Sequence, residues 1–405
     1  MRKIAAACAA LLIVLAPASV SIAETISDQQ YWLADYGFTT AWESSQGEGV
    51  KIAIIDTGID STHPSLQGAV VGGTDISGLG SSDGQTPVGS NSYHGTMVAS
   101  IAAGRGGNEI IGVAPKAELL AVSIAFGVEG LDTDSQIADG IIWAVDNGAQ
   151  VINLSLTRNS VTWPESWDEA FLYAFENDVV VVAAVGNRSD GTTEVSAPAT
   201  IPGVISVAGL DSNGIASENF STSGLSIGVT APSEDLIGAF PGGEYRLWSG
   251  TSGSAPIVSG LVALIRSMYP EMDAANVVNR VISSAKKVDS DGYSTSYGYG
   301  VIDANQALLA EIASVDENPL GSLAQWIELY RPQAEVDVNP GQIVRPIQAP
   351  TPFTAFEEPL PPVPWYADIS NWLPLAGYAG LGLLATFLYF AFRPAGHSPD
   401  STKRK

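Results

Sequence analysis

Three groups that can act together on a carbonyl stand in order along this chain, each close to a glycine. Asp56 closes the run Ile54-Ile55-Asp56 before Thr57-Gly58, His94 opens His94-Gly95-Thr96-Met97, and Ser252 sits in Gly250-Thr251-Ser252-Gly253-Ser254. A hydroxyl is a poor nucleophile until a base takes its proton. An imidazole does so best when a carboxylate orients it and steadies its cation. The chain holds 3 histidines, of which His63 precedes Pro64 in a loop-like stretch and His397 lies beyond the last apolar run, leaving His94 the better placed base. Ser252 precedes an apolar helical stretch. It therefore falls near a helix N-terminus, where free N–H groups and the positive dipole end favour a developing oxyanion. Asn187 follows the apolar run 182–185 and Gly186; a neutral amide at a strand end binds negative charge without titrating. Taken singly, each motif has a plainer reading: Asp56 as a turn cap, His94 as an isolated His-Gly pair, Ser252 or Thr251 as a helix cap.

These groups need elements to hold them. Continuous apolar, branched runs at 50–55, 117–124, 151–156 and 179–185 read as strands, and helical spacing marks 135–147 and 167–175. Strands that are apolar throughout, alternating with helices, imply a parallel sheet covered on both faces. The expected fold is α/β: a three-layer, doubly wound, mostly parallel sheet. In such sheets function collects beyond the carboxyl ends of the strands, where Asp56 and Asn187 fall.

The order Asp, His, Ser is one of three unrelated orders for the same catalytic geometry. With these motifs, residues 31–313 resemble the subtilisin-like serine protease family. The stretch Val182-Ala183-Ala184-Val185-Gly186-Asn187 resembles the family's strand ending in the oxyanion-hole asparagine, and Tyr297-Gly298-Tyr299-Gly300 resembles the segment that closes its catalytic domain. The resemblance implies a serine endopeptidase with Asp56, His94 and Ser252 as the triad and Asn187 in the oxyanion hole. It implies substrate binding along Asn153, Leu154 and Ser155 and around Ala184, Gly186 and Arg188. Thr157 stands where the family often has glycine, which puts the cleft width in question. Arg188 would favour an acidic residue before the scissile bond. The chemistry needs no cofactor. Calcium as a structural ion is implied by the family alone, since no compact ligand motif is present, and zinc lacks ligands.

Composition sets the outer limits. The chain has 405 residues, 45% of them hydrophobic, enough for one large domain with appendages. Its 43 acidic against 18 basic residues give a net charge of -25, with bases at both ends, so the body should repel nucleic acid. Residues 1–23 pair a basic start with an apolar run and Ser21-Ile22-Ala23, the pattern of a signal peptide cleaved after Ala23. The single cysteine, Cys8, lies within it, so the mature chain is expected to lack disulfides. The protease domain is expected over 24–314 and an extended, proline-rich stalk over 315–371. A transmembrane helix follows over 372–392, then a basic cytoplasmic tail over 393–405, which places the acidic body outside the cell membrane. The short distance from Ala23 to the domain leaves no room for a long folding propeptide. That, the stalk and the C-terminal anchor resemble the mycosins, membrane-anchored subtilisin-like proteases associated with type VII secretion. The resemblance implies protein or peptide substrates, a membrane and a type VII secretion membrane complex as partners. The competing reading is a structural scaffold of such a complex with dispensable protease activity. Complementing a deletion with Ser252→Ala separates the two, because only a scaffold would rescue.

Overall fold

The computed structural model describes residues 25–288, 290 and 292–331. The expected signal peptide, membrane span and tail, and the part of the expected stalk after Arg331, lie outside them. Among the described residues no helix is long and apolar enough to cross a membrane.

The strands are β1 (Lys51–Asp56), β2 (Val70–Asp75), β3 (Glu118–Ser123), β4 (Val151–Leu154), β5 (Val180–Ala184), β6 (Ile205–Leu210), β7 (Val229–Pro232), β8 (Leu236–Phe240) and β9 (Glu244–Trp248). The helices are α1 (Tyr31–Asp35), α2 (Phe38–Ala41), α3 (His94–Ala103), α4 (Thr133–Asp146), α5 (Ser166–Glu176), α6 (Thr251–Met268), α7 (Ala274–Ser283), α8 (Ala304–Leu309) and α9 (Leu323–Tyr330). Seven strands form one parallel sheet in the order β2-β3-β1-β4-β5-β6-β7, and β8 pairs with β9 as an antiparallel hairpin.

Strand side chains alternate between faces. In β1, Ile52 and Ile54 enter one core with α3 and α6, while Ala53 and Ile55 enter the other with α4 and α5. Both faces are dry, which is why these strands carry almost no polar residue. The chain runs from β1 outward to β2 and β3, then returns across β1 to β4. Strand order thus reverses around β1, and a crevice opens at its carboxyl end. α6 crosses behind this crevice with residues 253–266 buried, so its first turn is fixed by the core.

The domain extends beyond 314. Asn276 exchanges two hydrogen bonds with the Val315 backbone, at 2.9 and 3.0 Å, and Gly203 N–H donates to Leu320 O at 3.1 Å. Ser322 caps α9, its Oγ accepting from Gln325 N–H at 3.3 Å. α9 buries Leu323 and lays Trp326 on Trp163, ring centroids 4.4 Å apart. The expected stalk therefore does not start at 315. Its proline density belongs to residues after Arg331; within 315–331 the one proline, Pro319, precedes the helix and leaves its hydrogen bonds intact.

Candidate active site

Asp56 ends β1 with no solvent exposure. A buried carboxylate must be paired or bonded. It accepts from Thr57 N–H at 2.7 Å, and both its oxygens lie 2.9 Å from His94 Nδ1. The bond fixes the tautomer: Nδ1 carries the proton toward Asp56 and Nε2 faces the cleft with a lone pair. Gly95 permits this approach, since a Cβ there would overlap Gly58 O and press on Asp56 Cβ. Thr57 Oγ1 adds a clasp, accepting from Gly95 N–H at 3.0 Å and donating to Ser92 O at 3.1 Å. Trp248 meets the His94 ring edge-on, centroids 5.7 Å apart. Burial opposes the imidazolium more than any other single influence, but the charge and hydrogen bond of Asp56 together outweigh it. The His94 pKa is raised above its ordinary 6.5.

Ser252 is the second residue of α6, after Gly250 at φ 148°, so its N–H has no acceptor within the helix. Four residues on, Pro256 has no N–H to offer the Ser252 carbonyl. Ser155 Oγ takes that place, donating to Ser252 O at 2.8 Å. A buried relay stands behind it: Ser259 Oγ donates to Asn153 Oδ1, and Asn153 Nδ2 to Ser155 Oγ, both at 2.9 Å. The Ser252 hydroxyl donates to Ser155 O at 3.2 Å. Attack requires it to turn to His94 Nε2, on the same cleft.

Asn187 follows β5 and faces α6. Its Oδ1 accepts from Thr251 N–H at 2.9 Å and Thr251 Oγ1 at 3.0 Å. Because an N–H can only donate, the atom facing Thr251 must be the oxygen, and Nδ2 is left to the cleft, where it also donates to Asp190 Oδ2 at 2.8 Å. Two donors, Asn187 Nδ2 and Ser252 N–H, therefore belong to residues on one cleft, and such a pair of donors can hold a tetrahedral oxyanion.

The structure brings Asp56, His94, Ser252 and Asn187 together. Of the expected substrate-binding residues, Ser155, Ala184 and Gly186 line the cleft, with Leu156 and Thr157 extending its rim. Asn153 and Leu154 do not reach it: both are fully buried, Asn153 in the relay behind Ser252 and Leu154 in the core. Arg188 turns away, its guanidinium donating to Ser223 Oγ at 3.0 Å and Glu218 O at 3.5 Å. Asp190, which sequence reading passed over, lines the cleft instead. His63 is a satisfied internal residue, Nδ1 accepting from Ser65 N–H and Nε2 donating to Glu244 O. Among the described residues no three His, Cys, Asp or Glu gather around one point, so no residue set is assigned to calcium.

Comparison with known proteins agrees with this layout. A family model described as the subtilase family matches residues 47–300. Fervidolysin of Fervidobacterium pennivorans is 35% identical over 318 residues, 70% of this chain but 44% of that protein. The chain thus spans less than half of fervidolysin. Thermitase of Thermoactinomyces vulgaris is 37% identical over 284 residues, 70% of this chain and 96% of thermitase. Among solved structures, the serine protease MycP1, described as an essential component of the type VII (ESX-1) secretion system, superposes with a TM-score of 0.61 at 29% identity. The match covers 71% of this chain and 90% of MycP1.

Proposed function

Since the chain belongs to the subtilase family, we propose that it is a serine endopeptidase that cuts exported proteins through an acyl-enzyme. The observation that carries this is the Asp56–His94 Nδ1 pair at 2.9 Å, on one cleft with Ser252 and Asn187. Ser252 Oγ attacks the peptide carbonyl as His94 Nε2 takes its proton. Asp56 stabilises the imidazolium, and Asn187 Nδ2 with Ser252 N–H holds the oxyanion. His94 then returns the proton to the leaving amine, and water, activated the same way, releases the acyl group. The apolar stretch 372–392 supports a single-pass anchor with this domain outside the cell. The structural likeness to MycP1 supports a place beside a type VII secretion membrane complex.

The test is labelling of the full-length chain, recovered in the membrane fraction, with a fluorophosphonate. The wild type is expected to label, and Ser252→Ala and His94→Ala are not. A folded wild type that stays unlabelled would overturn the reading.

A further inference from the structure

We propose that Asp190 makes this cleft select substrates with a basic side chain immediately before the scissile bond, an inference that rests on the endopeptidase reading above. Residues Arg188–Asp190 form one 3-10 turn, ended by Gly191 at φ 83°. That turn folds the Asp190 carboxylate back onto Asn187, whose Nδ2 donates to it at 2.8 Å. Asn187 Nδ2 is also a donor for the oxyanion, and the oxyanion is the carbonyl oxygen of the residue preceding the scissile bond. The carboxylate therefore lies close to that residue, on the cleft that Ser155, Thr157, Ala184 and Gly186 also line. It is exposed to the cleft, and among the described residues no Lys or Arg nitrogen pairs with it. The nearest candidate in sequence, Arg188, is spent on Ser223 and Glu218.

A carboxylate at this point that accepts from Asn187 Nδ2 and, at 3.3 Å, from Ser189 Oγ but has no cationic partner among the described residues has two consequences. It attracts a cationic substrate side chain. It also repels the oxyanion, so the same cation gains further weight as negative charge develops in the transition state. A basic residue should thus raise kcat as well as lower KM, and an acidic one should be disfavoured on both counts. The net charge of -25 works in the same direction by drawing basic chains toward the domain.

The experiment measures kcat/KM of the full-length chain on peptides that differ only before the scissile bond, carrying Lys, Arg, Gln, Leu or Glu. The wild type should favour Lys and Arg over Gln by about tenfold, with the advantage shrinking in high salt. Asp190→Asn should abolish that ratio, and Asp190→Lys should turn it toward Glu. Fluorophosphonate labelling of each variant reports an intact triad independently of selectivity. A wild type that labels and cleaves without basic preference overturns this inference alone, as does a preference that survives both substitutions. A wild type that neither labels nor cleaves removes the endopeptidase reading itself and this inference with it.

Discussion

At the scale of single residues, the site is a set of side chains whose orientation is forced by what they must bond. That Asp56, His94 and Ser252 would meet at one cleft was legible in sequence because their types are chemically distinctive and few alternatives exist; with 3 histidines the choice of His94 is narrow. Asp190 was not legible. Its meaning comes from a turn that points it at Asn187, and no pattern of residue types encodes that direction. Arg188 shows the converse: adjacency in sequence to Asn187 suggested a role, and the same turn carries the guanidinium away. The raised pKa of His94 has a direct consequence. A general base must be neutral, so kcat/KM should rise with pH along a limb centred above the ordinary 6.5 of histidine. Asp56→Asn removes both raising influences and leaves burial, so its limb should move below the wild-type position. Its kcat should fall about 10⁴-fold, the scale seen in other triad enzymes. A pH–rate profile of the two enzymes checks both. The linked stability has the opposite trend: the imidazolium–Asp56 attraction is fully present below about 6.5 and is lost as pH rises through the higher folded value.

Elements position these residues through close approach. β1, β3, β4 and β5 stood out in sequence because burial on both faces leaves their interiors almost wholly apolar. β2 was missed since Gly72 and Gly73 dilute its apolar signal, and the β8–β9 hairpin because β9 alternates exposed Glu244, Arg246 and Leu247 with half-buried Tyr245 and Trp248. Yet the hairpin supplies Trp248 against His94, and Gly242 N–H beside it donates to Asp60 Oδ2 at 2.9 Å. A tight seam joins α3 to the β1 turn at Gly95. Gly95→Ala puts a methyl group into the Gly58 carbonyl and the Asp56 side chain, and neither can move without displacing the Asp56–His94 pair. The substitution should destabilise the domain by about 1–3 kcal/mol, read as a lower denaturant midpoint at unchanged slope. It should also lower kcat, because the His94–Asp56 bond spans that seam. A variant with the wild-type midpoint and kcat would show that the seam is slack.

For the molecule as a whole, the question is where the folded domain stops. The boundary after 314 was read from the closing segment at Tyr297-Gly298-Tyr299-Gly300, and the prolines beyond it read as stalk, which concealed Ser322-Leu323-Ala324-Gln325, a capped helix start of the S-x-x-Q type. In the fold, α9 closes on α5 and on the loop that runs from the cleft rim at Thr157 to Trp163. Arg331 completes the closure: its Nε lies 2.6 Å from Asp168 Oδ2, and its guanidinium stacks over Trp163 and Trp326 at 5.7 and 5.1 Å. The Asp168 hydrogen bond raises the Arg331 pKa despite partial burial, so the guanidinium stays charged across the working pH range. Trp163 N–H also donates to Asp168, at 2.7 Å. Removing the guanidinium therefore leaves a carboxylate with one donor in a site only 13% open to water. Arg331→Ala in the full-length chain should cost about 1–3 kcal/mol, a Tm fall of about 2–10 °C for a domain of this size. Arg331→Lys should recover part of it, because an ammonium keeps the charge but neither the fork nor the stacking. Differential scanning calorimetry of the three proteins measures this directly. An unchanged Tm in Arg331→Ala would put the end of the cooperative unit back before α9, and the chain after 314 would then act as a tether to whatever follows it rather than as the last layer of the enzyme.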